Sequence, residues 1–196
     1  MADRHAAICR NTTETQIELA LNLDGSGRRD LQLPVPFLRH MLDLFAAHGN
    51  FDLKILAQGD VDIDDHHTVE DLGIALGQAF RQAVGDKAGI RRYGSRFTPM
   101  DESLAHVALD ISGRSYLVFQ AAFPRADVGT FQTELVEEFF RAFAGNAGVT
   151  LHIRVLYGTN THHMIEAIFK AFGGALADAV ASDLKRPGIP STKGVL

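Results

Sequence analysis

Apolar and polar positions alternate over residues 16–23, QIELALNL. Ile17, Leu19, Leu21 and Leu23 fall on one face, and Gln16, Glu18 and Asn22 on the other. A period of two predicts a strand with one buried side. A glycine-rich turn, DGSGRRD, follows, and LQLPV predicts a second strand. The period then lengthens. PFLRHMLDLFAAHG places Phe37, Leu38, Met41, Leu42 and Phe45 on one helical stripe, with Pro36 in the first turn and Gly49 at the end. FDLKILA alternates as a third strand, and HHTVEDLGIALGQAFRQAVG predicts a long helix that Asp64 or Asp65 can cap.

The same order returns in the second half. LAHVALDI alternates through Ala105, Val107, Leu109 and Ile111, and SYLVFQAAF predicts another strand. TFQTELVEEFFRAFAGNAG predicts a helix, VTLHIRVLYG a strand, and THHMIEAIFKAFGGALADAV the final helix. A glycine turn follows the first strand of each half, LDGSG at 23–27 and LDISG at 109–113. The chain thus reads as an α/β protein of α+β type, an internal duplication of a strand-strand-helix-strand-helix unit. The repeats span about 5–88 and 95–184 within a single domain, 1–196. GDKAGIRRYGSR reads as a loop between halves. The tail from about 185 to 196 has no periodicity and is expected to be mobile when nothing binds it.

Composition narrows the choices. Hydrophobic residues make up 46% of 196 positions, enough for a sizeable core. A net charge of −5 argues against a nucleic-acid binder held by a basic face. The one cysteine, Cys9, excludes an internal disulfide framework and fits a reducing cytoplasm; its apolar neighbours predict burial. No apolar run reaches the ~18–20 residues of a membrane span, and MADRHAAICRN lacks an export signal.

The chemistry concentrates in two stretches, DIDDHHTVED and GTNTHHMIEA. His66, His67 and Glu70 recur as His162, His163 and Glu166, 96 positions later in each case. Residues four apart share a helix face, so His66 with Glu70, or His162 with Glu166, can bind one ion. A neighbouring residue points about 100° away on a helix. His67 and His163 are therefore badly placed for the ion of their own neighbour. The economical reading is two ions, each approached by a His-x-x-x-Glu pair from one repeat and the extra histidine of the other. The duplication adds His40, 26 residues before His66, and Glu138, 24 residues before His162. Mixed imidazole and carboxylate donors suit octahedral Mn²⁺ or Fe²⁺ better than a closed structural zinc. His106 and His152 fall on polar strand faces and are expected in solvent. Asp62, Asp64 and Asp65 read as charges at a helix start. Arg91 and Arg92 in the link, Arg114 after the second glycine turn, and Ser191, Thr192 and Lys193 in the tail could form an anion site if the fold gathers them.

IDDHHTVEDLGIAL, GTNTHHMIEAIFK, PFLRHMLDLFAAHG, SGRSYL and the terminal IPSTKG together resemble the imidazoleglycerol-phosphate dehydratase family, over nearly the whole chain. The resemblance implies loss of water from imidazole glycerol phosphate to give imidazole acetol phosphate in histidine biosynthesis, in the cytoplasm. It implies two Mn²⁺ per subunit, binding the substrate imidazole as imidazolate. It implies helices packed on one side of a sheet, and trimers assembling into a twenty-four-subunit shell with shared active sites. It assigns His40, His67, His162 and Glu166 to one ion, and His66, Glu70, His163 and position 138 to the other. Family members often carry histidine at that last position, and this chain has Glu138. Arg39 is a second departure, at a position that is not a ligand. Glu14, in TTETQ, matches a substrate-contacting glutamate. Arg92, Arg114, Ser191 and Lys193, with Thr192 between the last two, match the phosphate-contacting segment. His48 closes a segment lining the substrate pocket. Glu14, His40, His67 and Glu166 are expected at the reacting atoms, and His40, His66, His67, Glu70 and His162 also at the substrate.

A metal-storage assembly would explain the paired histidines but has no use for Arg92, Arg114 and the tail. A dinuclear hydrolase would normally want several bridging aspartates, and these motifs offer histidine and glutamate.

Overall fold

The structure, a computed structural model, describes residues 4–185, 188–194 and 196. Its first half runs β1 (His5–Asn11), β2 (Thr15–Asn22), β3 (Arg29–Gln32), α1 (Pro36–Gly49), β4 (Asp52–Gly59) and α2 (His66–Val84). The second half runs β5 (Tyr93–Met100), β6 (Ser103–Asp110), β7 (Tyr116–Gln120), a short hairpin of β8 (Asp127–Val128) and β9 (Phe131–Gln132), α3 (Leu135–Ala147), β10 (Thr150–Tyr157) and α4 (Thr161–Val180). The two main sheets have matching orders, β1-β2-β4-β3 and β5-β6-β10-β7. In each, the inner pairs are antiparallel, and the last strand pairs parallel because a helix carries the chain across.

Each main sheet holds one strand more than the alternation suggests, and the second half adds the β8–β9 hairpin. β1 and β5 are edge strands, so pairing supplies what pattern does not. β5, YGSRFTPM, buries only Gly94 and exposes Tyr93 and Phe97, which made it look like part of a polar link. In β1 the inward side chains are Ala6, Ile8 and Arg10, and Cys9 lies on the exposed side. Its apolar neighbours misled because the pleat turns successive side chains to opposite faces.

Element ends differ in small ways that have clear causes. α1 ends on Gly49, but the left-handed residue that closes it is Asn50, at φ 57°. Gly49 is needed for space, since a Cβ there would strike the Phe51 ring. α3 begins at Leu135, not 130, because residues 127–132 turn back as a hairpin whose Phe131 packs on Phe37 at 5.2 Å. At the start of α2, Asp64 accepts the His66 backbone N–H at 2.8 Å, while Asp65 occupies the cap position without a side-chain bond.

The helices lie between the two sheets. α2 covers β1 and β2, α4 covers β5 and β6, α1 crosses α4, and α3 crosses α2. Each sheet therefore carries helices on one side, and its outer face is polar or half-exposed, as the alternation of β2 and β6 shows. Phe45, Phe80, Phe139, Phe140, Phe143, Phe169 and Phe172 fill the layer, each at most 1% exposed. No helix among the described residues is long and apolar enough to cross a membrane.

The α2–α3 crossing predicts a sharp response at Gly73. A Cβ there would lie 2.6 Å from the Phe139 carbonyl oxygen and 2.9 Å from the Ala142 Cβ. The nearer atom is backbone and cannot rotate away. Gly73→Ala gains about 1 kcal/mol in helix propensity yet is expected to lose about 1–2 kcal/mol net, because overpacking outweighs it. A fall in the urea midpoint with unchanged slope checks this; an equal or higher midpoint refutes the clash.

Candidate metal and substrate site

α1 and α4 come from different repeats, and their crossing gathers His40, His162 and Glu166. One ligand atom from each lies within 4.8 Å of the other two, the only such group of three among the described residues. Glu166 Oε2 is 3.2 Å from His162 Nε2 and 3.6 Å from His40 Nε2. Its other oxygen, Oε1, is 2.6 Å from Lys170 Nζ, one helical turn on. Burial pushes the Glu166 carboxyl up, but Lys170, then His40 and His162, outweigh it and hold it below its ordinary value. The carboxylate thus stays charged and presents one oxygen to two imidazoles. Phe37 lies edge-on to His162 at 5.2 Å and closes one side. The chemistry of these three donors suits a divalent ion.

His67 does not join them. Its Nδ1 is 2.9 Å from Asp60 Oδ2, and its Nε2 is 3.8 Å from Glu14 Oε1. Nor do His66, Glu70, His163 and Glu138 converge within one chain. The helix explains this: the His66 and His67 rings are 6.1 Å apart at 87°, and those of His162 and His163 6.2 Å apart at 79°. Neighbouring imidazoles point to different places. His66 is exposed and Glu70 half-buried. His163 Nδ1 bonds Glu102 Oε2 at 2.7 Å. Glu138 sits 3.6 Å from Arg141 Nε, while Glu137 makes the closer 2.7 Å bond to Arg141 Nη2.

The hydrogen bonds to Asp60 and Glu102 raise the His67 and His163 pKa values above the ordinary imidazole value. Glu102 is held well below the usual carboxylate range by His163 first, then by the Asn160 and Thr159 N–H groups. His48 is pushed down by burial and then by Lys170, with Glu166 opposing. It therefore stays neutral at pH 7, close to the cluster.

The basic residues gather elsewhere. Arg92 donates to both oxygens of Asp110, at 2.6 and 3.0 Å, and to the Pro190 carbonyl at 2.9 Å. Arg114 reaches the same Asp110 at 3.6 Å. Arg92, Tyr93, Ser191 and Thr192 line one open cavity together with residues 188–190. Lys193 is exposed, and its N–H bonds Ser191 Oγ at 3.1 Å. Arg186, Pro187 and Val195, which belong to the expected tail, lie outside the described residues.

These two centres lie far apart in one chain. The Arg92 N–H bonds the carbonyl of Ala179 at the far end of α4, whereas His162 and Glu166 stand at its start. Seventeen residues at 1.5 Å each separate His162 from Ala179, about 25 Å.

Sequence reasoning missed Asp60, Glu102, Lys170 and Asp110. Their signals are weak because each acts on a partner distant in sequence or is an ordinary charged residue in its own segment. Only the i, i+4 spacing of Glu166 and Lys170 was visible.

The family model described as imidazoleglycerol-phosphate dehydratase matches residues 34–176. The chain is similar to the imidazoleglycerol-phosphate dehydratase of Bacillus subtilis, 60% identical over 98% of this chain and 100% of that one. It is also similar to that of Acetivibrio thermocellus, 59% identical over 99% and 100%. The crystal structure of the Staphylococcus aureus dehydratase superposes with a TM-score of 0.84 at 46% identity, covering 91% of this chain and 99% of that chain. That from Pyrococcus furiosus gives 0.84 at 34% identity, covering 96% and 100%.

Glu138 is expected to act as a ligand in place of an imidazole, since α3 holds it opposite α2 as α1 holds His40 opposite α4. Glu138→Ala should lose close to one Mn²⁺ per subunit while Glu137→Ala keeps its full metal content, both read by elemental analysis of the purified assembly. Equal content in the two variants overturns this role.

Proposed function

The chain belongs to the imidazoleglycerol-phosphate dehydratase family, a family of carbon–oxygen lyases of histidine biosynthesis, and from that premise we propose that it works through a dinuclear manganese site shared between copies of the chain. The observation that carries the proposal is the convergence of His40, His162 and Glu166 within 4.8 Å. In this reading, His67 of another copy completes that ion. His66, Glu70 and Glu138, with His163 of another copy, hold the second. The separation of about 25 Å along α4 supports sharing, because one small phosphorylated imidazole cannot span it. We place the trimers and the twenty-four-subunit shell, and a cytoplasmic location, in the same proposal.

The reaction needs help because the departing hydroxyl and proton flank no carbonyl. A bound Mn²⁺ pair supplies Lewis acidity that stabilises negative charge on the substrate's imidazole, a contribution of several kcal/mol. The protein's own groups do the rest. Lys170 fixes one oxygen of Glu166 so that the other faces the two imidazoles. Glu14 is half-exposed, and its carboxylate stands 3.8 Å from His67 Nε2, free to move a proton at the substrate. Arg92, Arg114, Ser191, Thr192 and Lys193 hold the phosphate. Asp110 binds both arginines and keeps their guanidiniums side by side before substrate arrives. The test is formation of imidazole acetol phosphate with and without added Mn²⁺. Metal uptake without turnover would replace this reading with metal storage.

Two outcomes follow. His67 and His163 carry raised pKa values, so the metal-free protein keeps their protons to higher pH than an ordinary histidine with pKa about 6.5. Their hydrogen bonds stabilise the metal-free fold below that value, and the contribution is lost as pH rises through the raised pKa. Metal must displace those protons, so activity falls in acid and excess Mn²⁺ moves the acid limb to lower pH. A pH–rate profile at two metal concentrations decides it, and an immobile limb refutes this origin.

Removing Ser191 to Leu196 is expected to leave metal content and assembly size unchanged and to raise KM for the phosphorylated substrate by at least about tenfold, the loss of one or two charge-assisted hydrogen bonds. An unchanged KM counts against the tail as phosphate ligand.

A further inference from the structure

The duplication sets Glu14 and Glu102 in equivalent places. Glu14 immediately precedes β2 and Glu102 immediately precedes β6, and the two strands hold the same position in their sheets. Their surroundings differ. Both oxygens of Glu102 are occupied. Oε1 accepts from Ser103 Oγ at 2.8 Å, Thr159 N at 3.0 Å and Asn160 N at 2.7 Å. Oε2 takes His163 Nδ1 at 2.7 Å. Glu14 receives none of these bonds, and its Oε1 stands 3.8 Å from His67 Nε2.

Two substitutions between the repeats account for the difference. Asp60 follows Gly59, which packs on Thr15 and Thr68, and it bonds His67 Nδ1; in the second repeat Thr159 follows Gly158, which packs on Ser103 and Met164, and offers no carboxylate. His163 must therefore find another acceptor. Asp71 takes the hydroxyl of Thr15, the first residue of β2, and is itself held by Arg10. At the corresponding place 96 positions on, α4 has Ala167, so the hydroxyl of Ser103 is left to donate to Glu102. The first repeat thus frees its glutamate, and the second ties its glutamate down.

We infer that Glu102 is a positioning residue for His163: it accepts the Nδ1–H and so leaves Nε2 unprotonated and turned outward to ligate the metal, while the duplicate carboxylate, Glu14, is left available for the substrate. Carboxylates that receive the second ring N–H of a ligating histidine fix its tautomer and orientation. Asp60 does the same for His67 in the first repeat. The exposed Asp101, 3.8 Å from His163 Nε2, stands on the side that the ion would take and is not the anchor. The inference rests on the reading of His163 as a metal ligand.

Glu102→Gln separates the possibilities at the level of single atoms. Every group around Oε1 is a donor, so the glutamine oxygen must stay there and preserve the backbone bonds to Thr159 and Asn160. Its amide nitrogen then faces His163 Nδ1, which has to become an acceptor, and the ring proton moves to Nε2. The measurement is histidine ¹⁵N magic-angle-spinning NMR on the metal-free assembly, at a pH where the imidazoles are neutral, with His163→Asn used to assign the signal. The expected result is an Nδ1-protonated His163 in the unaltered protein, an Nε2-protonated one in Glu102→Gln, and Mn²⁺ affinity about 10–100-fold weaker in that variant. An Nδ1-protonated His163 with unchanged Mn²⁺ affinity in Glu102→Gln overturns the inference. His163→Asn itself tests the underlying reading: full Mn²⁺ content in that variant removes His163 from the ligands. Loss of metal there combined with an unchanged tautomer in Glu102→Gln removes only the positioning role.

Discussion

Gly173 of α4 lies against the backbone of α1 at Phe45, and Gly73 and Gly77 of α2 lie against α3 at Phe139 and Phe143. These close approaches set the geometry of everything else. Each joins a helix of one repeat to a helix of the other, so neither repeat can bury its helices alone. The phenylalanines of the middle layer fill what remains, with Phe45 stacked on Phe172 at 5.0 Å and Phe143 edge-on to it at 4.9 Å. Aromatic rings at such separations add a directional preference to the area they bury. The α1–α4 crossing is also what carries His40 to His162 and Glu166.

Duplication gives the site its economy and its asymmetry. The same His-His-x-x-Glu spacing opens α2 and α4, and on both helices the paired rings diverge. A helix that uses one histidine of a pair must offer the other elsewhere, and this favours a centre assembled from several copies. Around that common plan the repeats have drifted. Asp60, Asp71 and Arg10 organise the first, whereas Glu102 and Ser103 organise the second. One carboxylate of an equivalent pair, Glu14, is left open to solvent, and the other, Glu102, is held by five donors.

Charge is arranged with the same division of labour. Lys170 beside Glu166 and Asp110 beside Arg92 are opposite-sign partners that hold a working group in place. Lys170 takes one oxygen of Glu166 and leaves the other to the two imidazoles. Arg92 adopts a left-handed backbone, φ 75°, where the link after α2 passes the end of α4 and enters β5, and its side chain reaches to the tail at Pro190. The phosphate-binding reading thus depends on a bend that the pattern of residues around Arg92 does not announce.

Periodicity by itself determined α1, α2 and α4 and the inner strands β2, β4, β6 and β10, because an element with one buried face must repeat its apolar residues at its own period. The spacing of the paired histidines also sufficed to say that neighbouring rings must point apart, as they do on both α2 and α4, since helix geometry alone separates neighbours by about 100°. The tertiary structure decided the rest. β1 and β5 are edge strands recognisable only by their pairing, and Cys9 faces outward because of the pleat. The hairpin before α3 depends on Phe131 meeting Phe37, a contact across 94 residues. Asp60, Glu102, Lys170 and Asp110 became legible only with their partners in view. A carboxylate or an amine carries no mark in sequence of the group it will hold, and three of these four hold partners that the chain brings back from seven to sixty-one positions away.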